Sequence, residues 1–166
     1  RRNLMADFIN ADDLFYREYE PKLQNRYILL IEGIPAFTIK TAGRPSIEFE
    51  TVEIDHINTK RYVAGKPTWG TIDLTLNDPI TPSAAQTTME WVRLHYESTT
   101  GAMGYLENYK KDITIQVLGP PGDIVEQWIG KRAYITSAEF GDLDWSSNDP
   151  VEISMTLQCD HWILEF

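Results

Sequence analysis

The sequence contains little cysteine and little positive charge. Its 166 residues include one cysteine, Cys159, and 15 Lys and Arg against 25 Asp and Glu, which gives a formal net charge of -10. A single cysteine excludes an internal disulfide and a Cys-rich zinc site. An acidic surface repels phosphate backbones, so this balance excludes the nonspecific attraction on which ordinary DNA-binding proteins depend.

Long apolar runs are also missing. No uninterrupted run approaches the roughly 18 residues that span a bilayer, and the first residues lack the apolar region of a signal peptide. We therefore expect a soluble protein without membrane insertion. The length and the 42% hydrophobic content fit one globular domain. Residues 1–4 precede Met5 and are interpreted as added residues or an early start, so the domain is expected to span residues 5–166.

Residues for catalysis or metal binding do not form a convincing set. His56, His95 and His161 have no mutual metal-ligand spacing, so structural roles are favoured for all three. Asp142 and Asp144 could imitate the carboxylate pair of a glycoside hydrolase, and a hydrolase that uses them is an open alternative. The sequence predicts a protein that is not an enzyme and has no cofactor and no metal.

Three other features have a structural and a functional interpretation. Residues 119–122, Gly-Pro-Pro-Gly, lack the lysine and helix of a phosphate-binding loop and predict a turn between strands. Cys159 lies on the apolar side of a strand, which favours a buried, inert thiol. The five tryptophans favour core or subunit contacts. The alternative is a monomeric β-sandwich that binds carbohydrate or a receptor through exposed tryptophans.

Alternation of apolar and polar residues predicts β-strands along most of the chain. The predicted strands are 26–32, 36–41, 72–76, 113–117, 133–140 and 151–159, and the long segment 46–63 also alternates. Segment 36–41 could pair with the first strand as a hairpin across Gly33. The alternation changes phase between Phe49 and Val52, which predicts a bulge or bend near Thr51.

One segment has a helical period instead. Thr81 is the predicted N-cap, Pro82 takes the first helical position, and Gly101 ends the run. The predicted apolar face consists of Ala85, Met89, Val92 and Tyr96. The patterns therefore predict a mainly β fold, in which one amphipathic helix packs on a mainly antiparallel sheet system.

Two segments suggest contact with other chains. Residues 27–31 are apolar at consecutive positions, so the strand needs cover on both faces, either from a neighbouring subunit or from the chain's own helix or loop. Residues 55–62 are polar and charged, which fits a solvated hairpin tip or an arm that touches another chain.

Two parts of the sequence carry a family resemblance. The first consists of residues 58–69 (NTKRYVAGKPTW) and 74–78 (LTLND), and the second of residues 141–148 (GDLDWSSN) and the strand from Glu152 to Trp162. Both resemble the tail tube proteins of contractile-tailed bacteriophages. The order of elements agrees from about residue 25 to residue 162. Residues 7–22 have no clear counterpart.

The resemblance implies one tail-tube domain, an antiparallel β-sandwich or partly closed barrel with one flanking α-helix. It also implies that this domain assembles into hexameric rings, which stack into a hollow tube. The implied partners are further copies of the chain, a tail sheath protein, a baseplate tube initiator, a tape-measure protein, a tail terminator and DNA in transit. The implied location is the phage tail in the virion, after assembly in the host cytoplasm. Tubes of type VI secretion and related injection devices are the alternative.

The resemblance and the strand patterns together name two sets of candidate residues. Residues 45–63 match the position of the loop that stacks rings, and the predicted contact residues are Asp55, His56, Ile57, Asn58, Thr59, Lys60, Arg61, Tyr62, Tyr27, Leu29 and Ile31. The candidate residues facing the lumen are Thr71, Asp73, Thr75, Thr114, Gln116, Ser154, Thr156 and Gln158. The second set is polar and lacks lysine and arginine, which suits a wall that does not hold DNA.

Overall fold

The computed structural model describes residues 20–166. This part of the chain contains helices α1 (Ala84–His95) and α2 (Leu106–Tyr109) and a short 3-10 helix, Ala36–Thr38. Its strands are β1 (Tyr27–Ile31), β2 (Ile39–Ala42), β3 (Ile47–His56), β4 (Thr59–Trp69), β5 (Ile72–Asn77), β6 (Lys111–Leu118), β7 (Ile124–Glu139), β8 (Glu152–Gln158) and β9 (His161–Glu165). Residues 1–4 and most of segment 7–22 lie outside the described residues.

Two antiparallel sheets enclose the core and share strand β7. Sheet A contains β1, β6, the first half of β7 and β9. Sheet B contains β2, β5, β8 and the second half of β7. Strands β3 and β4 form a separate hairpin. The predicted mainly antiparallel β fold with one flanking helix is confirmed, and the strand pairings between residues 20 and 166 do not close into a barrel.

Strand β7 passes from sheet A to sheet B at a bend around Arg132. Its register with β6 shifts there, and Arg132 has a φ of 54°. Asp112 holds the bend, because its carboxylate accepts the Arg132 N–H at 3.1 Å and the Lys131 ammonium at 3.2 Å. The bond from the Arg132 N–H, together with Lys131, lowers the pKa of Asp112.

The core lies between the two sheets and is formed by alternate residues of their strands. Sheet A contributes Leu29, Ile31, Ile113, Ile115 and Trp162, and sheet B contributes Ile72, Leu74, Leu76, Ile153, Met155 and Leu157. Gly130 is needed in this packing, since a Cβ there would lie 2.9 Å from both Cys159 Sγ and Ile113 Cγ1. The residues between these core positions are the ones that face outward.

Helix α1 begins later than the sequence predicts. Ser83 is the N-cap, with its hydroxyl accepting the Gln86 N–H at 3.4 Å, and Asp78 Oδ1 accepts the Ala84 N–H at 3.1 Å. The predicted cap at Thr81 and first position at Pro82 are therefore wrong, and the helix ends at His95, before Gly101.

The apolar face of α1 is also shifted by one position. The buried residues are Ala84, Thr88 and Trp91, in place of the predicted face of Ala85, Met89, Val92 and Tyr96. Apolar residues are adjacent in this helix, as at Trp91 and Val92, so the sequence alone does not show which of two faces is buried. The larger Trp91 ring decides the orientation, and its Nε1 donates to the Tyr109 carbonyl at 2.6 Å.

Two strand predictions need correction. Segment 36–41 does not form a hairpin with β1, because β2 pairs with β5 and only the Ile31–Ile34 bridge spans Gly33. Segment 133–140 is the second half of a strand that starts at Ile124, and β9 was not predicted separately. Among the described residues, no helix combines the length and apolar character of a membrane span.

Candidate assembly surface

Strands β3 and β4 form a hairpin that projects from the sandwich, and we call residues 47–69 the arm. Its register pairs Ile47 with Trp69 at the base and His56 with Thr59 beside the turn. Every residue of β3 and nearly every residue of β4 is exposed, and these strands pair only with each other in the described chain. An isolated two-stranded hairpin is marginally stable at best in water. The exposed arm therefore has little support from the rest of the described chain.

The arm carries apolar side chains on both faces. Ile47 and Phe49 share one face near the base, whereas Val52 and Ile54 lie on the other face nearer the tip, with Val63 opposite Val52. The register shift between Phe49 and Thr51 confirms a bulge at the predicted position, but its extra residue belongs to β4, where residues 65 and 66 oppose Glu50. Strand β3 keeps its alternation, so the bulge does not bring the two apolar pairs onto one face. Exposed apolar patches of this kind mark interaction sites.

The predicted contact residues 55–62 form the outer end of the arm. Ile57 occupies the turn with a φ of 28° and is fully exposed. A β-branched residue at positive φ is an outlier, although two-residue hairpin turns need positive φ values. Lys60 pairs with Glu53 at 3.1 Å. The interpretation of this segment as a hairpin tip is confirmed, and its contact with another chain stays a prediction.

Strand β1 divides its apolar residues between two sides. Leu29 and Ile31 are 1% and 5% exposed and belong to the chain's own core, whereas Ile28 and Leu30 are 36% and 45% exposed. The side chains of Leu29 and Ile31 are therefore not available to a second subunit, and the exposed aliphatic residues of this strand are Ile28 and Leu30. Residues 27–31 are all apolar, so the sequence pattern did not show which alternate residues are buried, and the prediction chose the buried ones.

The candidate lumen residues lie on two different surfaces. Asp73, Thr75, Ser154, Thr156 and Gln158 occupy the outer face of sheet B, and Thr71 precedes β5 on the same alternation. Thr114 and Gln116 instead face outward from sheet A. The eight candidates are therefore divided between the outer faces of sheets A and B.

The two outer faces differ in chemistry. On sheet A, Leu30 is paired with Thr114, and Ile163 with Ile129, so aliphatic side chains are interspersed with polar ones. On sheet B the face is polar and acidic: Thr156 Oγ1 donates to Asp73 Oδ1 at 2.9 Å, and Lys40 is paired with Glu152. The sheet B face resembles a water-lined wall more closely than the sheet A face does.

A buried carboxylate that the sequence did not single out ties the base of the arm to sheet A. Glu126 is 5% exposed and accepts hydrogen bonds from Lys22 Nζ and Trp128 Nε1, with Arg44 at 3.6 Å. The Lys22 bond is the main cause that lowers the pKa of Glu126, and burial opposes it. Arg44 lies in the connection from β2 to the arm, so this cluster fixes where the arm leaves the sandwich.

The chemical candidates are dispersed. His56 lies on the arm, His95 stacks on Tyr109 at 4.4 Å, and His161 starts β9. Between residues 20 and 166, no three His, Cys, Asp or Glu side chains form a potential metal site. Cys159 is buried, and burial raises the pKa of its thiol to about 12.

The remaining predicted motifs have structural positions. The loop at 119–122 is the predicted turn between strands, closed by the Gly119 N–H donating to the Asp123 carbonyl at 2.8 Å. Asp142 and Asp144 lie in the exposed connection between β7 and β8. Trp91 and Trp162 are core residues, whereas Trp145 is fully exposed in that same connection. The tryptophans thus do not gather on one surface.

A family comparison decides which kind of protein this is. The model of the family described as T4-like virus tail tube protein gp19 matches residues 23–163. The chain belongs to this family. The match covers the sandwich, the arm and the β7–β8 connection, and it confirms the resemblance seen in the sequence. The protein is thus a tail tube protein of phage or contractile injection particles, and its family is structural.

Solved structures share the fold of this tail tube protein. The sheath-tube complex of the extracellular contractile injection system PVC has a chain with 23% identity and a TM-score of 0.70, over 90% of this chain and 93% of that one. A chain of the anti-feeding prophage cap has 21% identity and a TM-score of 0.74, over 98% of this chain and 98% of that one. A chain of the SPP1 tail tube has 17% identity and a TM-score of 0.56, over 87% of this chain and 79% of that one. A search of curated protein sequences found no match.

Proposed function

We propose that this tail tube protein assembles into hexameric rings that stack into a hollow tube, with the arm of each copy contacting the next ring. The observation that carries the proposal is the arm, an exposed hairpin with apolar residues on both faces and no partner in its own described chain. Burying Phe49, Val52 and Ile54 against another copy would supply the stabilisation that the isolated hairpin lacks.

The outer face of sheet B supports a role as the channel wall. It carries Asp73, Glu139 and Glu152 and short polar side chains, with Lys40 neutralised by Glu152. A wall without free cations makes few phosphate contacts, so DNA can slide along it. The aliphatic side chains on sheet A, such as Leu30, fit contact with another protein instead.

The proposed partners follow from this arrangement. In a phage tail they are a sheath protein around the tube, a baseplate initiator, a terminator, a tape-measure protein within the lumen and DNA in transit, with assembly in the host cytoplasm. The second candidate is the tube of an injection device, which the fold similarity to the PVC and anti-feeding prophage chains supports. The two candidates differ in cargo and share the mechanism of assembly.

Electron microscopy of the purified chain tests the proposal, with rings and long hollow tubes as the expected result. A variant that lacks residues 55–61 should keep the circular dichroism spectrum of the folded sandwich but form no tubes. Leu106→Ala, at an exposed residue outside the arm, is the control and should form tubes. A chain that stays monomeric at high concentration would overturn the assembly, and normal tubes from the deletion variant would overturn the role of the arm.

A further inference from the structure

The arm and the loop between β7 and β8 lie at opposite ends of sheet B; we call residues 140–151 the β7–β8 loop. The arm leads into β5 at Ile72, and β5 ends at Asn77, which pairs with Glu152 at the start of β8. The last residue of β7, Glu139, pairs with Ser154. The loop is therefore anchored at the Asn77 end of the sheet, and the arm leaves from the Ile72 end. In a stack of copies with one polarity and with the strands of sheet B running along the stacking axis, the arm end of one copy would meet the loop end of the next.

The β7–β8 loop presents two apolar side chains on an ordered frame. Leu143 and Trp145 are 84% and 107% exposed. Asp144 accepts both the N–H and the hydroxyl of Ser146 at 2.9 Å, and the bond from that N–H lowers the pKa of Asp144. Gly141 has a φ of 77°, and a Cβ there would lie 2.6 Å from the Glu152 carbonyl oxygen. A loop held in one conformation loses little entropy when it binds.

The loop and the outer half of one face of the arm, beyond Glu48 and Glu50, are complementary in charge and in apolar character. Residues 140–151 include Asp142, Asp144 and Asp149 and no lysine or arginine. The outer half of the arm presents Val52, Ile54 and Val63, with Arg61 directly opposite Ile54. A guanidinium binds carboxylates and also stacks on tryptophan rings, so Arg61 suits both features of the loop.

We propose that the β7–β8 loop is the receptor for the arm of the next copy, with Leu143 and Trp145 packed on the aliphatic face of the arm and Arg61 at the loop's carboxylates. This inference rests on the proposed stacking of copies and names the surface that the arm binds. Strand β3 is 10 residues long, so at about 3.3 Å per residue the arm has a length of roughly 33 Å.

Assembly of two single variants tests the contact from each side. Trp145→Ala and Arg61→Glu should each raise the protein concentration needed for tubes by at least about tenfold, as expected for a buried aromatic or arginine anchor. Leu106→Ala, an exposed apolar residue on α2, is the matched control and should assemble like the unchanged chain. A triple variant that combines Arg61→Glu with Asp142→Arg and Asp149→Arg should restore assembly, because it reverses the charge on the arm and on the β7–β8 loop.

Crosslinking between copies tests the proximity directly. Cys159 is buried with a pKa raised to about 12, so engineered cysteines react in its place. Tubes grown from a mixture of Thr59→Cys and Asn148→Cys chains should yield a crosslinked pair with a bismaleimide reagent. Replacing Asn148→Cys by Thr99→Cys should abolish the product.

The outcomes separate this inference from the proposed function. An unchanged chain that forms no tubes overturns both. Tubes that form at unchanged concentration from Trp145→Ala and Arg61→Glu, without the crosslinked pair, overturn the receptor loop while the tube itself stands.

Discussion

Ile28 and Leu29 are neighbours in β1 but face opposite sides of sheet A. Leu29 is 1% exposed and packs in the core, whereas Ile28 is 36% exposed beside Leu30. The buried side chains of this strand thus stabilise the fold, and the exposed ones form an apolar surface on sheet A.

Substitutions on the two sides of β1 should separate stability from assembly. Leu29→Ala should lower the free energy of unfolding by about 3 kcal/mol, because it leaves a cavity in the core. Leu30→Ser should change it by less than about 0.5 kcal/mol and still weaken assembly, because Leu30 is on the surface. Urea denaturation and sedimentation of assembled protein measure the two effects. A Leu30→Ser chain that assembles normally would remove this face from the subunit contacts.

We expect the side chain in the turn of the arm, Ile57, to favour assembly at some cost to the stability of the fold. Ile57 has a φ of 28°, which a β-branched residue adopts at a cost and which asparagine tolerates. Ile57→Asn should therefore keep or slightly raise the thermal stability. It should also weaken tube formation, because a fully exposed apolar side chain is lost from the tip. The measurements are the melting temperature and the concentration at which tubes appear; a lower melting temperature would contradict the strain argument.

The strands were the most predictable part of the fold. Alternation in residues 72–76 and 113–117 predicted β5 and β6, because one face of each is buried and the other is polar. The same argument failed on β1 and on α1, where adjacent apolar residues left the buried side undecided until long-range packing fixed it. Residues 55–62 were predicted as a tip from local polarity alone.

The sharing of β7 between two sheets could not be read from the sequence. The bend depends on Asp112, which is distant in sequence from Arg132 and binds its backbone. The separation of the candidate lumen residues has the same cause, since which sheet a strand joins is decided by pairings between distant segments. The exposure of Trp145 was only weakly indicated by the sequence. An aromatic residue with acidic residues on both sides in a polar loop is expected to be exposed, but this pattern does not identify a binding partner.

Stability should depend on the ionisation of Glu126. Its pKa in the folded chain is lowered, so the folded state favours the carboxylate. The resulting stabilisation is present at neutral pH and is lost as the pH falls below the usual glutamate value of about 4.3 and through the lowered value. Glu126→Gln should lower the free energy of unfolding at pH 7 by about 1 kcal/mol, a small figure because Lys22 and Arg44 are half-exposed and screened.

Urea denaturation at neutral and acidic pH measures this dependence. The difference between the unchanged chain and Glu126→Gln should shrink in acid, where the carboxyl group is protonated in both folded and unfolded states. Glu48→Gln, on the exposed arm, is the control and should show little difference at either pH. A Glu126→Gln effect of equal size at both pH values would mean that packing, and not charge, explains it.

Lysine substitutions should show which sheet lines the channel. Thr75→Lys, Ser154→Lys and Thr156→Lys place three cations on the outer face of sheet B, and Thr114→Lys with Gln116→Lys changes sheet A instead. Exposed strand positions should tolerate each lysine within about 0.5 kcal/mol. Each added cation in a lumen creates a phosphate contact, and the contacts strengthen as salt falls. Particles with the sheet B lysines should therefore release DNA more slowly, most clearly at low salt, whereas the sheet A lysines should not affect release. Slow release from the sheet A variant alone would reverse the assignment of the wall, and normal release from both at low salt would contradict a wall that works by avoiding phosphate contacts.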